Sequence, residues 1–144
     1  MRFYRYVVAS DFGMAPCGDD GLLSLATCKP VIRRVARPGD FVAGFAPSPA
    51  PPGRLVYAAQ VSEVVEWRDY CRRYTQSQRR DSVYDVAADG TWSARRSDYH
   101  EDLAQQSRDL SSPVLIFDPK VTWYFGDQAQ TVPDPLVRWA VGGS

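Results

Sequence analysis

The chain has 144 residues, of which 44% are hydrophobic and 24% are charged, and its 17 basic side chains balance 17 acidic ones. This length and composition predict one globular domain, residues 1–144, that buries enough surface to fold without disulfides or a structural metal. Zero net charge argues against a protein that binds nucleic acid through bulk charge alone, and no apolar run approaches the roughly 20 residues of a membrane span.

The first part of the chain is predicted to combine strands with two helices. Aromatic and β-branched residues indicate the strands, and apolar residues at helical spacing indicate the helices. A glycine- and aspartate-rich loop is expected at 11–21 and a proline-rich loop at 46–53. The predicted strands are 3–10, 41–45 and 55–61, the predicted helices are 29–37 and 63–80, and a short apolar segment occupies 22–27.

The second part of the chain is predicted to hold a hairpin, a helix and a pair of strands. The hairpin turns at Asp89-Gly90, and Ser97 is expected to cap the helix. These elements are the hairpin 82–94, the helix 97–108, strands 113–117 and 121–125 joined by 118–120, and an edge strand at 128–133. About seven short strands with two or three short helices predict an α+β fold, a small and partly closed β-barrel.

Charge and cysteine usage narrow the functional classes. Residues 1–80 carry 12 basic and 7 acidic side chains, whereas 81–144 carry 5 and 10. The charges of the two halves either lie on opposite faces of the domain or pair with one another within the fold. Oppositely charged faces would permit association with another subunit. The three cysteines form no Cys-x-x-Cys pair and the only histidine is His100, so we expect no disulfide framework, no metal, no cofactor and a cytoplasmic location.

The predicted helix at 29–37 carries the strongest basic cluster. Lys29, Arg33 and Arg34 are expected to project from its solvent face, where they either contact phosphate or remain solvated. Cys28 beside Lys29 is either a reactive thiol or a buried core residue.

Three further sets of residues are candidates for a site. Asp11 follows the first strand, where it either serves a functional loop or closes a turn. His100 is either a proton shuttle assisted by Asp98, Asp102 or Asp109, or part of a polar helix cap. Aromatic side chains could stack on a nucleobase, and Asp11 and Asp81 could accept its N–H groups. The candidates for the pocket wall are Tyr6, Tyr57, Trp67, Tyr84 and Tyr124.

Three stretches give the clearest resemblance to a known family: YVVASDFGMAP, LATCKPVIRRVARPGDFVAGFA and LVYAAQVSEV. With the later Asp81-Ser-Val-Tyr, Trp92 and Asp98-Tyr-His motifs, they resemble the second class of nucleotide modification associated domains, found near base-modification genes of phages and bacteria. The resemblance covers about 3–126, and the chain departs from it in the 46–53 loop and the 127–144 extension. The resemblance implies a role in nucleic-acid modification. It does not decide between an enzyme that modifies a base and a reader, a protein that binds a modified base.

A weaker similarity concerns the fold. The segment PGDFVAGF followed by LVYAAQVSEV is similar to the core of PUA-like and EVE-type domains, small barrels that hold RNA or a modified base.

The leading hypothesis is therefore a nucleic-acid or nucleotide-binding module that recognises a modified base, preferably in DNA. The alternative is a transferase, hydrolase or glycosylase-like enzyme of base modification that uses Asp11, Cys28, Lys29 and His100. A third hypothesis is an interaction subunit that associates with modification or defence proteins. No membrane partner is expected.

Overall fold

The computed structural model describes residues 1–47, 54–96 and 98–131. Most of the predicted proline-rich loop, the predicted cap Ser97, and residues 132–144 of the predicted extension lie outside the described residues. The described segments form eight strands and three α-helices, which confirms the α+β prediction. None of these helices has the length and apolar composition that a membrane span requires.

The elements follow the predicted order closely. The strands are β1 Phe3–Val7, β2 Ser24–Leu25, β3 Phe41–Phe45, β4 Arg54–Val65, β5 Tyr84–Val86, β6 Trp92–Ala94, β7 Val114–Tyr124 and β8 Gln130–Thr131. The helices are α1 Pro30–Val35, α2 Trp67–Arg73 and α3 Leu103–Leu110.

The main sheet has the strand order β1-β3-β4-β7-β2, with β8 paired to β4. β1 runs parallel to β3 and the other pairs are antiparallel. β4 shifts register against β7 twice between Ala59 and Glu63, and such bulges bend a strand and increase its twist. The sheet curls into a half barrel, which confirms the predicted partly closed barrel. β5 and β6 form a separate hairpin.

Several sequence-based boundaries are wrong. The two strands expected at 113–117 and 121–125 are one strand, β7, because residues 118–121 bulge opposite Gln60 and a bulge tolerates the missing N–H of Pro119. α2 runs from Trp67 to Arg73 and not over the predicted 63–80, and residues 63–65 belong to β4. α3 begins at Leu103, where the carboxylate of Asp102 accepts the N–H of Ala104 at 2.8 Å.

The two faces of β7 pack into different hydrophobic clusters. Leu115 and Phe117 join the cluster that includes Ile32 of α1, whereas Val114 and Ile116 join the cluster that includes Trp67 of α2. Successive side chains of a strand point to opposite faces, so this strand is buried on both sides. That double burial explains why its sequence is a continuous apolar run.

A fully buried polar network fixes the segment between α2 and β5. The Arg79 guanidinium donates to Ser24 Oγ at 2.7 Å and to the carbonyl of Cys17 at 2.9 Å, and it lies 3.6 Å from Asp81. Asp81 accepts from the hydroxyls of Ser24 and Tyr70. Because buried charges need both a counter-charge and hydrogen bonds, the mutual pairing explains why the chain tolerates them here.

A surface ion pair anchors the 11–21 loop. Arg80 donates to the Asp19 carboxylate at 2.8 Å and to the carbonyl of Phe12 at 3.3 Å. The loop passes close to this guanidinium: a Cβ at Gly13 would lie 2.4 Å from Arg80 Nη2, and the φ of Gly13 is +85°. Hydrogen bonding to Arg80 is the main cause that lowers the pKa of Asp19 to about 2.

Arg80→Gln is expected to remove stability in a pH-dependent manner. Because the folded-state pKa of Asp19 is depressed, its contribution is fully present above its ordinary pKa of 3.8 and is lost as the pH falls through about 2. Arg80 is 55% exposed, so solvent screening limits the difference at neutral pH to about 1 kcal/mol. Urea denaturation of wild type and variant between pH 7 and pH 2 measures it; a pH-independent difference would contradict the assignment.

Candidate functional site

A cavity of about 560 Å³ lies where the end of β1, the start of α1, the segment 98–100 and α3 meet. Its volume is within the range of sites for small molecules. The wall is largely apolar, with Val8 and Ile32 among its residues, and Tyr6 forms part of it. Cys28, His100 and Asp109, from three separate parts of the chain, also line this cavity.

Cys28, His100 and Asp109 form a continuous chain of contacts. The Cys28 Sγ lies 3.8 Å from His100 Nε2. The His100 Nδ1 lies 2.5 Å from Asp109 Oδ2. This order of contacts is the one that activates a side chain for covalent catalysis: a nucleophile touches a base, and the base is oriented by an acid.

The contacts of Asp109 decide which nitrogen of His100 carries a proton. Carboxylate oxygens accept hydrogen bonds, so Nδ1 donates to Asp109 and Nε2 presents its lone pair to the Cys28 thiol. Cys28 and Asp109 meet opposite nitrogens of the ring and do not converge on one point. Accordingly, no group of three or more His, Cys, Asp or Glu side chains within 1–47, 54–96 and 98–131 is placed to hold a metal ion.

Two tyrosines hold the imidazole and the carboxylate in place. The Tyr99 ring stacks on His100 with centroids 4.1 Å apart, and its hydroxyl bonds Thr27 Oγ1 at 2.7 Å. The Tyr84 hydroxyl donates to Asp109 Oδ2 at 2.6 Å. Burial is the main cause that raises the pKa of both tyrosines. They therefore remain protonated at neutral pH, and Tyr84 remains a donor to the carboxylate.

The backbone is strained at the same place. Four non-glycine residues of the described segments have positive φ, and three of them line the cavity: Cys28 at +59°, Lys29 at +42° and His100 at +47°. Such conformations cost about 1–3 kcal/mol each and concentrate at functional sites. The surrounding contacts must therefore hold Cys28 and His100 in these positions.

Arg33 supplies those contacts from inside the protein. Its guanidinium donates to the carbonyl of Cys28 at 2.7 Å and to the carbonyl of Asp109 at 2.9 Å. It also donates to the carbonyls of Ser112 and Pro113. The Asp109 carboxylate accepts the N–H of Cys28 at 3.0 Å. Both peptide groups of Cys28 are thus fixed, and Cys28 is tied to α3.

The predicted solvent-facing position of Arg33 is wrong. Its side chain is fully buried, because four backbone carbonyls at the end of α3 and before α1 need its donors. Desolvation lowers its pKa to about 10, so it is still a cation at neutral pH. Arg34, the next residue, is exposed and lies outside the cavity lining.

Several other predicted site residues do not reach the cavity. Tyr57 and Tyr84 are fully buried in the hydrophobic core, and Asp81 is fully buried in the network with Arg79, so the structure does not bring them to the wall of this cavity. Trp67, at 4% exposed, borders a separate groove between α2, the β5–β6 hairpin and α3. These side chains fill the interior because a chain of this size needs its large aromatic residues as core.

Asp11 and Tyr124 form a pair of their own. The Tyr124 hydroxyl donates to both oxygens of Asp11 at 2.7 Å, and neither residue lines the cavity. Of the residues that the sequence predicts for the site, the structure brings together Tyr6, Cys28, Lys29 and His100. Asp109 was only one of three acids near His100. Phe12 and Tyr99 lie within the family motifs but were not predicted as site residues, and no sequence signal indicated Arg108, which reaches the cavity through the fold.

Comparison with known families gives one match, which covers almost the whole chain. The family model described as nucleotide modification associated domain 2 matches residues 1–142. Comparisons with curated proteins and with solved structures gave no significant match. The similarity to PUA-like and EVE-type domains is therefore not confirmed.

Proposed function

Since the chain belongs to the nucleotide modification associated domain 2 family, we propose that it is a cysteine-dependent enzyme that transfers or hydrolyses an acyl group on a nucleotide or nucleobase. The observation that carries the proposal is the chain of contacts from Cys28 through His100 to Asp109 in a cavity of small-molecule size. The family name supports nucleotides as the substrate class.

The first half of the reaction forms a thioester. The Cys28 sulfur attacks the carbonyl carbon of the substrate as its proton passes to His100 Nε2, and a C–S bond forms. The tetrahedral intermediate collapses and the bond to the leaving nitrogen or oxygen breaks. His100 then returns the proton to that leaving atom, so that the departing amine or alcohol is neutral.

The second half regenerates the enzyme. Water or an acceptor amine attacks the thioester and loses its proton to His100 Nε2. The new C–O or C–N bond forms, the C–S bond breaks, and the Cys28 sulfur takes the proton back. Asp109 holds the imidazole and stabilises its positive charge in both halves. Neither half requires an oxidant or a reductant.

The enzyme hypothesis explains features that the leading sequence hypothesis leaves without a role. A reader of modified bases does not need a thiol, an imidazole and a carboxylate in contact, nor the backbone strain at Cys28 and His100. Three of the aromatic residues expected to wall its pocket, Tyr57, Trp67 and Tyr84, are buried in the core. Binding of a modified base without turnover is kept as an outcome of the test.

Alkylation of Cys28 by iodoacetamide tests the contact chain directly. His100→Asn is expected to slow the reaction at Cys28 at least about tenfold, because it removes the group that accepts the thiol proton. Asp109→Asn is expected to slow it less. Asp98→Asn is the matched control, because Asp98 is an acid near His100 that pairs with Arg96 instead. Peptide mass spectrometry separates Cys28 from Cys17 and Cys71, which are buried.

Equal alkylation rates in wild type, His100→Asn and Asp109→Asn would overturn the proposal. An acyl donor then tests the covalent step: wild type incubated with p-nitrophenyl acetate or an N-acetylated deoxycytidine monophosphate is expected to gain one acetyl group at Cys28. Selective retention of an oligonucleotide that contains a modified base, without a change in its mass or an adduct on the protein, would favour the reader.

A further inference from the structure

We propose that Lys29 and Arg108 form an anion subsite in the cavity that holds Cys28. The inference rests on the proposed function and deepens it: the substrate carries an anionic oxygen group, a phosphate or a carboxylate, close to its reacting carbonyl. Both side chains line the cavity. They come from different elements, since Lys29 precedes α1 and Arg108 lies in the last turn of α3.

Lys29 is held at the cavity wall by an aromatic ring. Its Nζ lies 5.2 Å from the centre of the Tyr6 ring. That ring is buried at 2% exposure, and its hydroxyl bonds the hydroxyl of Tyr57 at 2.9 Å, so its position is fixed. A cation over an aromatic face is attracted by the ring but is not neutralised by it. The ammonium group therefore remains available to a negatively charged ligand.

Arg108 also lacks an acidic partner among the described residues. No ion pair or side-chain hydrogen bond of its guanidinium occurs there, although five other arginines pair with an aspartate or glutamate: Arg73, Arg79, Arg80, Arg95 and Arg96. The nearest acid in sequence, Asp109, is already bonded to the N–H of Cys28, to Tyr84 and to His100.

The cavity therefore holds two cations, and Asp109, the only carboxylate among its described lining residues, does not offset their charge. That carboxylate is buried and committed to His100, whereas Lys29 is partly exposed and Arg108 is exposed. Ammonium and guanidinium groups are the usual partners of phosphate and carboxylate oxygens, and the bonds are charge-assisted. A neutral substrate would leave both cations without a ligand, so the arrangement favours an anionic one.

Two alkylating agents of the same reactivity class measure this preference. Iodoacetate and iodoacetamide both form a C–S bond at Cys28 and release iodide, but only iodoacetate is negatively charged. We expect the ratio of their rate constants, iodoacetate over iodoacetamide, to fall about tenfold in the double variant Lys29→Gln, Arg108→Gln, and to fall with salt in wild type. Arg72→Gln removes an exposed cation from α2, outside the cavity, and serves as the control.

Protection of Cys28 distinguishes the two sources of the anion. Deoxycytidine 5′-monophosphate or inorganic phosphate is expected to slow alkylation by iodoacetamide if the group is a phosphate, and succinate is expected to do so if it is a carboxylate. Deoxycytidine is the uncharged control. Protection that survives in the double variant, or a rate ratio equal in wild type, the double variant and Arg72→Gln, would overturn the subsite.

The two proposals fail in different ways. If Cys28 alkylation does not depend on His100 but iodoacetate is still preferred in a manner that depends on Lys29 and Arg108, the subsite stands and the catalytic proposal falls. If alkylation depends on His100 but shows no anion preference, the reverse holds.

Discussion

Replacing Cys28 with serine is expected to lower turnover of an acylated nucleotide by roughly 10³-fold or more, because residues that act as one catalytic unit each carry most of its effect. The serine hydroxyl is a far weaker nucleophile in the same position, and it holds its proton more firmly against His100 Nε2. Cys28→Ala removes the nucleophile and is expected to be at least as inactive. Product formation followed by chromatography measures both.

Two controls separate this effect from damage to the fold. Cys28 is partly exposed, so the melting temperatures of both variants are expected to stay close to that of wild type. Cys71→Ala removes a buried thiol that bonds the carbonyl of Arg68 and lies outside the cavity. It is expected to lower stability and to keep the activity of the folded fraction. Turnover by Cys28→Ala equal to that of wild type would exclude covalent catalysis by this residue.

Arg33→Met is expected to lower the free energy of unfolding by at least about 3 kcal/mol, because buried acceptors left without a donor cost about 1–3 kcal/mol each. The change leaves the carbonyls of Cys28, Ser112 and Pro113 without the guanidinium, whereas the carbonyl of Asp109 keeps the indole N–H of Trp67 at 3.2 Å. The lowered pKa of Arg33 shows that burial disfavours its charge, so its value to the fold lies in these hydrogen bonds. Urea denaturation measures the loss.

Arg34→Met is the matched control, because Arg34 is the neighbouring residue of α1 and is exposed. Surface substitutions of this kind change stability by about 0.5 kcal/mol or less. If Arg33→Met does not fold, Arg33→Lys keeps a cation but cannot reach all four carbonyls, and an intermediate loss is expected. Equal effects of Arg33→Met and Arg34→Met would contradict the role assigned to the buried guanidinium.

The positions of the aromatic side chains show how far composition alone predicts a site. Aromatic side chains suggested a pocket wall, yet Tyr57 and Tyr84 are fully buried, and the aromatic residues at the cavity include Phe12 and Tyr99, which were not predicted as wall residues. Residue type predicts which side chains can stack on a base. It does not predict which of them are buried in the hydrophobic core.

Local patterns by themselves determined much of this protein. The predicted strand 41–45 is β3, the predicted hairpin around Asp89-Gly90 joins β5 to β6, and the predicted helix at 29–37 contains α1. Each of these features depends on neighbours in sequence: alternating apolar residues, a turn dipeptide, or a proline at a helix start. The sequence motifs also identified the family before any geometry was considered.

Only the tertiary structure decided the site. Cys28 and His100 are 72 residues apart, and their contact depends on how α1 and α3 pack around the curled sheet, which no local spacing encodes. The same packing buries Arg33, which was expected to face solvent, among four backbone carbonyls, and it leaves Lys29 at the wall of the cavity. Backbone groups buried by long-range packing must find donors within the protein, and that requirement, not helical periodicity, determines which side of α1 is the inside.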